Sequence, residues 1–234
     1  LLVSDKGIRG LVILLGKPFS GIEVDGNVIH AQAGARMSAL ANAALAHGRA
    51  GLEFASGIPG SVGGGVYMNA GAYGSEIACT LTESTYYGEN GIAARPLEEH
   101  GFSYRKSIYQ KSGEIVLSAR FSLKKGDAEE IKKLCEDRMA ARKEKQPLNY
   151  PSAGSVFKRP EGYFAGKLVQ DAGLAGFTIG GACVSEKHCG FVINKGNATA
   201  KDVLDVIEHT RKEVREKFGV ELEPEVRIVN AVTK

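Results

Sequence analysis

The 234 residues include only four cysteines, Cys79, Cys135, Cys183 and Cys189, and no two of them form a C-x-x-C pair. That spacing argues against a zinc site or a redox dithiol. Unpaired thiols fit a reducing cytosol. Charge of either sign is scarcely in excess: 30 basic and 27 acidic residues leave a net charge of +3, too balanced for a nucleic-acid binder. No apolar run approaches a membrane span, and no signal-peptide pattern opens the chain. Internal repeats and low-complexity tracts are absent. The chain starts without methionine at Leu1-Leu-Val-Ser-Asp5, inside an apolar strand-like stretch. The expectation is a chain that has lost an N-terminal part. At 43% hydrophobic and 24% charged residues, the sequence can bury a real core in one large or two moderate domains.

Short strands are expected at 1–3, 11–15, 21–24 and 28–33, with Asp25-Gly-Asn27 as a hairpin turn. Apolar residues at Met37, Leu40, Ala41, Ala44 and Leu45 have a helical period, and Gly48 follows. Strands return at 81–87, 91–96 and 115–123. Asp127 with Glu130 signals a second helix, whose buried stripe is Ile131, Leu134, Cys135 and Met139. A short helix is expected at 164–172, then strands at 179–184 and 190–194. Thr199 and Asp202 cap a long helix with Val203, Ile207, Val214 and Phe218 on one face and Gly219 at its end. The alternation over 220–229 predicts a strand, edge or bulged at Pro224. The class is mixed α and β, with strands dominating the first half.

Residues 57–74 hold seven glycines. Such density lets backbone N–H groups close on an anion, most naturally a phosphate or diphosphate. The run Gly57-Ile-Pro-Gly-Ser-Val-Gly-Gly-Gly65 is neither the strand-Gly-x-Gly-x-x-Gly-helix layout of a Rossmann site nor a P-loop. A bare surface turn is the plain alternative. The interleaved Ile58, Val62, Val66 and Met68 want burial, which favours a cradle for a nucleotide cofactor.

Five blocks then point to one family. Gly57-Ile-Pro-Gly-Ser-Val-Gly-Gly64, Asn69-Ala-Gly-Ala-Tyr-Gly74, Tyr104-Arg-Lys-Ser107, Gly154-Ser-Val-Phe-Lys158 and Leu222-Glu-Pro-Glu-Val-Arg227 resemble the UDP-N-acetylenolpyruvoylglucosamine reductases, in order and over nearly the whole chain. Leu2-Val-Ser-Asp5 and Arg9-Gly10 resemble the end of the family's N-terminal flavin segment, whose preceding Gly-Ser-Asn turn is not in this sequence. The short stretch between the Arg105 block and the Ser155 block resembles the shorter branch of the family.

The resemblance implies an α+β fold: a flavin-binding domain of the vanillyl-alcohol-oxidase (PCMH) type over 1–123, then a smaller α+β substrate domain over 124–234, whose last strand returns to the flavin domain. It implies FAD as cofactor and NADPH as co-substrate. The substrate would be a UDP-sugar enolpyruvyl ether on the route to peptidoglycan, with no nucleic-acid or membrane partner, in a cytoplasmic monomer. Gly57, Ile58, Pro59, Gly60, Ser61, Gly63, Gly64, Asn69, Gly71, Tyr73 and Gly74 would hold FAD. Tyr104, Arg142, Lys158 and Arg227 would bind substrate.

Three catalytic residues follow from the same likeness. Arg105 would stabilise charge on the substrate carboxylate, a fork of donors that never loses its proton. Ser155 would donate the proton to carbon, and needs help because serine is a very weak acid. Glu225 would act with Arg105, although alternation alone makes it part of a solvated face. Ser155 could equally be a turn serine, as could Ser152 or Ser61; the sequence around it is no nucleophile elbow. Arg159 stands where the family often has asparagine. The cluster Arg138, Arg142, Lys143 and Lys145 could neutralise a diphosphate or complement a helix C-terminus. His188 could touch substrate or serve structure. Two rivals stand beside this reading: an oxidase of the same flavin fold, and a nucleotide-sugar binding module without redox activity.

Overall fold

The computed structural model describes residues 1–229. The chain divides into two units, Ile13–Arg142 and a discontinuous one of Leu1–Val12 with Lys143–Lys234. Strand β1 (Leu2–Val3) belongs to the discontinuous unit.

In the continuous unit β2 (Ile22–Asp25) and β3 (Val28–Gln32) form the expected hairpin, Asp25 opposite Val28, with Gly26 at φ +55°. Helix α1 (Met37–Ala46) has the bounds its periodicity predicts and buries Met37, Leu40, Ala41 and Ala44. Next come β4 (Arg49–Ala50), a 3-10 turn at Glu53–Gly57, helix α2 (Val62–Met68), and the tight pair β5 (Gly71–Ala72) and β6 (Ser75–Glu76). The hairpin β7 (Leu81–Gly88) and β8 (Gly91–Pro96), the single helical turn α3 (Tyr109–Ser112) and β9 (Ile115–Ser122) follow. They complete a five-stranded antiparallel sheet ordered β2-β3-β9-β7-β8. Ile29, Ala31, Ala119 and Phe121 line one face and bury against α1, α2 and Phe54. Strand β10 (Lys124–Lys125) pairs with β4.

Helix α4 (Ala128–Lys145) starts where Asp127 accepts the N–H groups of Glu129 and Glu130 at 2.9 and 3.0 Å. Such a cap satisfies two otherwise orphaned donors. Most of α4 lies in the continuous unit, which ends at Arg142. The cause is packing: Gly126 N–H bonds the Gly48 carbonyl, and Ile131 closes on Gly126. Ile131 and Cys135 are buried, but Leu134, expected in the same stripe, is 44% exposed.

The discontinuous unit continues with β11 (Ser152–Ser155), α5 (Ala165–Asp171), β12 (Thr178–Ile179), β13 (Ala182–Val184) and β14 (Phe191–Asn194). They form a four-stranded antiparallel sheet ordered β11-β14-β13-β12. The single strand expected at 179–184 is therefore two, turned at Gly180-Gly181, where Gly180 has φ +53°. Helix α6 (Ala200–Phe218) packs on this sheet through Val206, Ile207 and Val214. It has a complete capping box: Thr199 Oγ1 accepts from Asp202 N–H at 3.0 Å, and Thr199 N–H donates back to Asp202 at 2.9 Å. Gly219 ends it at φ +68°. Phe218 is 41% exposed, outside the face expected for it.

Two expected strands fail. Residues 11–15 form none, and Leu11, Val12, Ile13 and Leu14 are exposed. Apolarity without a ladder partner does not make a strand. Over 220–229 only β15 (Ile228–Val229) is a strand, paired in parallel with β1. Pro224 has no N–H to give a ladder, and the alternation there serves other contacts. The last strand, expected to pack back on residues 1–123, pairs with Leu2–Val3 at the start of that stretch.

A buried polar chain crosses the first sheet's edge. His100 is fully buried, and its Nδ1 faces the Pro96 carbonyl at 2.9 Å. That nitrogen must therefore carry hydrogen, leaving Nε2 to accept from the Ser84 hydroxyl at 2.7 Å. Ser84 Oγ in turn accepts from the Tyr109 hydroxyl at 2.6 Å. Arg95 stacks 4.1 Å over the Tyr86 ring and grips Glu114 with two bonds of 2.8 and 3.0 Å. Hydrogen bonding to Arg95 holds the Glu114 carboxyl below the usual carboxylate range. Burial, aided by the nearby Arg95 charge, pushes His100 below its ordinary 6.5 against two carbonyls that favour the cation.

Acid stability should report this. Below about 6.5 the unfolded chain takes up a proton at His100 that the folded chain refuses, so stability drops as pH falls through that window. His188, also lowered by burial, adds in the same direction. The urea midpoint should decrease from about pH 7 to about pH 5, and His100→Gln should flatten that slope. A slope unchanged in the variant would refute the assignment.

Candidate active site

The glycine segment is organised by a bridge between Arg36 and Ser61. Met37 N–H bonds the Gly60 carbonyl at 3.0 Å, and Val62 N–H bonds that of Ala35 at 2.8 Å. Gly63 N–H goes to Ala33 at 2.9 Å. Ser61 caps α2, its hydroxyl accepting Gly64 N–H at 3.2 Å. The donors of residues 62 to 64 are thus used within the protein. Among the described residues, no acceptor meets the N–H groups of Gly60 or Ser61. Gly60 is exposed at φ +146°, and nothing lies within 4 Å of where its Cβ would be. Two adjacent unsatisfied donors beside open space fit an anionic group of a nucleotide cofactor. The other glycines have different work. A Cβ on Gly63 would meet that of Ala33 at 2.8 Å, and one on Gly65 the Met37 sulfur at 2.8 Å.

The second block is strained. Asn69, fully buried at φ +43°, closes α2 in the left-handed region. Its amide donates to the Ser103 carbonyl at 3.1 Å, and its oxygen accepts Ala78 N–H at 3.0 Å. It joins three segments and is turned inward. Tyr73, at φ +55°, is 55% exposed and donates its hydroxyl to the Arg138 carbonyl at 3.1 Å. Gly74 has φ +80°, and a Cβ on Gly71 would strike Glu76 and the Ser75 carbonyl at 2.7 Å. Ile58 and Pro59 lead from the 3-10 turn into the bridge, with Ile58 N–H held by Ala55 at 3.1 Å. The Arg142 side chain lies against Gly57, and Arg138 sits 3.9 Å from Glu53. The inner half of the basic cluster therefore faces the cradle segments, while Lys143 and Lys145 are exposed.

Arg105 is also left-handed, at φ +57°. Such a conformation is unusual for a long side chain and marks a constrained position. Its guanidinium donates to the Gly71 carbonyl at 3.1 Å and lies 5.1 Å from the exposed Tyr104 ring. Gln110, in none of the motif blocks, donates to the Arg105 carbonyl at 2.9 Å.

The other two catalytic candidates lie in the discontinuous unit. A bulge between Ser152 and Ser155, with Gly154 at φ +88°, sets Ser155 opposite Phe191. Its exposed hydroxyl makes one long bond, 3.4 Å, to the Phe157 carbonyl. Glu225 N–H bonds the Val156 carbonyl at 2.7 Å, and Lys158 N–H bonds Glu223 at 2.9 Å. Ser155 and Glu225 thereby sit on adjoining backbones. Lys158 ion-pairs with Glu223. The Arg227 carbonyl accepts from Leu2 at 2.8 Å. Arg159 stacks 4.0 Å over Phe164. His188 is wedged between Gly166 and Gly190 and accepts Gly190 N–H at 3.1 Å, a structural placement. Arg105 belongs to the continuous unit, Ser155 and Glu225 to the other.

Comparison with known proteins gives this geometry a context. Residues 2–91 match the family described as FAD binding domain, and residues 146–229 match UDP-N-acetylenolpyruvoylglucosamine reductase, C-terminal domain. The chain is 57% identical over 230 residues to the UDP-N-acetylenolpyruvoylglucosamine reductase of Caldanaerobacter subterraneus subsp. tengcongensis, covering 98% of this chain and 76% of the relative. The enzyme so named from Lachnoclostridium phytofermentans is 54% identical, with the same coverage. The crystal structure of UDP-N-acetylenolpyruvylglucosamine reductase from Thermus caldophilus superposes with a TM-score of 0.85 at 37% identity, over 97% of this chain and 81% of that one.

The two uses of glycine separate by mutation. Gly63→Ala should overpack α2 against Ala33 and cost about 1–3 kcal/mol in urea unfolding. Gly64→Ala, exposed with only an ordinary 3.4 Å contact, should leave stability within about 1 kcal/mol of the parent. Equal effects would show that packing does not dictate the glycine at 63.

Proposed function

The chain belongs to the UDP-N-acetylenolpyruvoylglucosamine reductase family, and on that premise we propose how its own residues share the work. It is an FAD-dependent oxidoreductase of peptidoglycan precursor synthesis, reducing the enolpyruvyl group of UDP-N-acetylglucosamine enolpyruvate to give UDP-N-acetylmuramate. When bound, FAD supplies hydride transfer, drawn in this family from NADPH and delivered to the vinyl carbon of the enol ether.

The protein must hold the cofactor, neutralise charge and deliver one proton. Gly60 and Ser61 N–H groups bind the anionic part of FAD. Hydride addition leaves electron density delocalised onto the substrate carboxylate. Arg105 pairs with that carboxylate, and such a donor in a dry site lowers the barrier by roughly 3 kcal/mol. The Ser155 hydroxyl then gives its proton to the carbon bearing the carboxylate, and recovers one from water. Glu225 orients the donor and the substrate. Tyr104, Arg142, Lys158 and Arg227 contact the UDP-sugar; for Lys158 this requires exchanging Glu223 for phosphate. The observation that most supports the proton-donor role is the Glu225 N–H bond to Val156, which sets the carboxylate residue alongside Ser155. The same reading makes the protein a cytoplasmic monomer; among the described residues no helix is long and apolar enough to cross a membrane.

A visible spectrum tests the class. A yellow protein bleached by NADPH and recoloured by the enolpyruvyl substrate is the expected result. A yellow protein indifferent to NADPH would point to an oxidase of the same fold, and a colourless one to a binding module. Within the reductase, Ser155→Ala should leave flavin reduction by NADPH intact and slow substrate turnover by roughly 10²-fold or more. Equal loss in both half-reactions would remove Ser155 from the proton-transfer role.

A further inference from the structure

Arg105 is held in an unfavourable backbone conformation, so something must hold it there. The loop 101–108 hangs between two buried anchors, His100 and Tyr109, both hydrogen-bonded to Ser84 Oγ. Ile108 N–H closes its neck on the His100 carbonyl at 2.8 Å. Inside this frame the Gln110 side chain reaches the Arg105 peptide. Gln110 Nε2 donates to the Arg105 carbonyl at 2.9 Å and to the Tyr67 carbonyl at 3.1 Å, and lies 3.6 Å from the Met68 sulfur. Tyr67 and Met68 form the last turn of α2, the helix that begins at the glycine cradle.

We propose that Gln110 is a positioning residue that fixes Arg105 relative to the cofactor cradle. An arginine at φ +57° relaxes by rotating into the extended or right-handed region. Either rotation swings the Arg105 carbonyl and its side chain away together. The Gln110 amide holds that oxygen, and its second hydrogen ties the same amide to α2. Loss of the amide removes this hold on the carbonyl side of the 105–106 peptide, whose N–H side stays bonded to Ser103 at 3.0 Å, and the guanidinium loses its fixed place against the Gly71 carbonyl. Gln110 touches no reacting atom and acts only through Arg105. The proposal rests on the charge-stabilising role given to Arg105 above.

The test is a double-mutant cycle on the FAD-loaded protein, comparing Gln110→Leu, Arg105→Ala and the double variant. Substrate turnover and NADPH-driven flavin reduction are measured in each. Gln110→Leu should lower turnover on the order of ten- to a hundredfold, the scale of a small misplacement, with flavin reduction unchanged. Added to Arg105→Ala it should lower turnover no further, because the residue it serves is gone. An equal fall in both backgrounds, wild-type turnover, or loss of flavin reduction along with turnover would each overturn the proposal. Wild-type turnover in Arg105→Ala alone would instead overturn the role of Arg105, and is recognisable as that separate failure.

Discussion

The close seating of α2 is the constraint on which the candidate cofactor site depends. Gly63 and Gly65 leave no room for a methyl group against Ala33 and Met37, so the helix lies directly on β3 and the start of α1. That approach lets Val62 and Gly63 bond the carbonyls of Ala35 and Ala33, which spends the donors a helix start would otherwise offer to a ligand. What remains for an anion is one step earlier, at Gly60 and Ser61. The far end of the same helix needs a left-handed terminus, and Asn69 provides it while tying in the loops that carry Ser103 and Ala78. One short helix thus sets the place of the cradle and anchors the segment bearing Arg105.

In the discontinuous unit the corresponding constraint is Pro224. It faces Phe157 across a single bridge and has no hydrogen to donate. Its neighbours take over: Glu223 accepts and Glu225 donates, each to the chain that follows Ser155. The result is a short, irregular pairing rather than a regular strand. It exposes Ser155 while holding Glu225 half-buried nearby.

Where local physics decided the outcome, the sequence was readable. The turn at Asp25-Gly-Asn27, the period of α1 and the capping box at Thr199 involve residues a few positions apart, and all appear as expected. Where a distant partner decided, it was not. The apolar stretch 11–15 has no ladder partner among the described residues, and the alternating 220–229 pairs mostly through single bonds. Leu134 and Phe218 fit a helical stripe by spacing but are exposed. The site blocks were legible as motifs, yet their glycines read alike. Tertiary packing separates glycines 63 and 65, which lie against Ala33 and Met37, from the open Gly60. Gln110 and the His100–Ser84–Tyr109 chain left no periodic trace, because they join residues brought together by β7 and the turn before α3.

The pairing of β1 with β15 and the bond from Ala200 N–H to the Asp5 carboxylate at 3.0 Å bind the opening residues to the closing ones. During synthesis, Asp5 and Leu2 leave the ribosome long before their partners exist. The nascent chain must keep that apolar opening unpaired while the stretch 13–142 acquires its own antiparallel sheet. The discontinuous half is therefore the last to close, and a translation product interrupted before residue 228 would leave residues 2 and 3 without their strand partners.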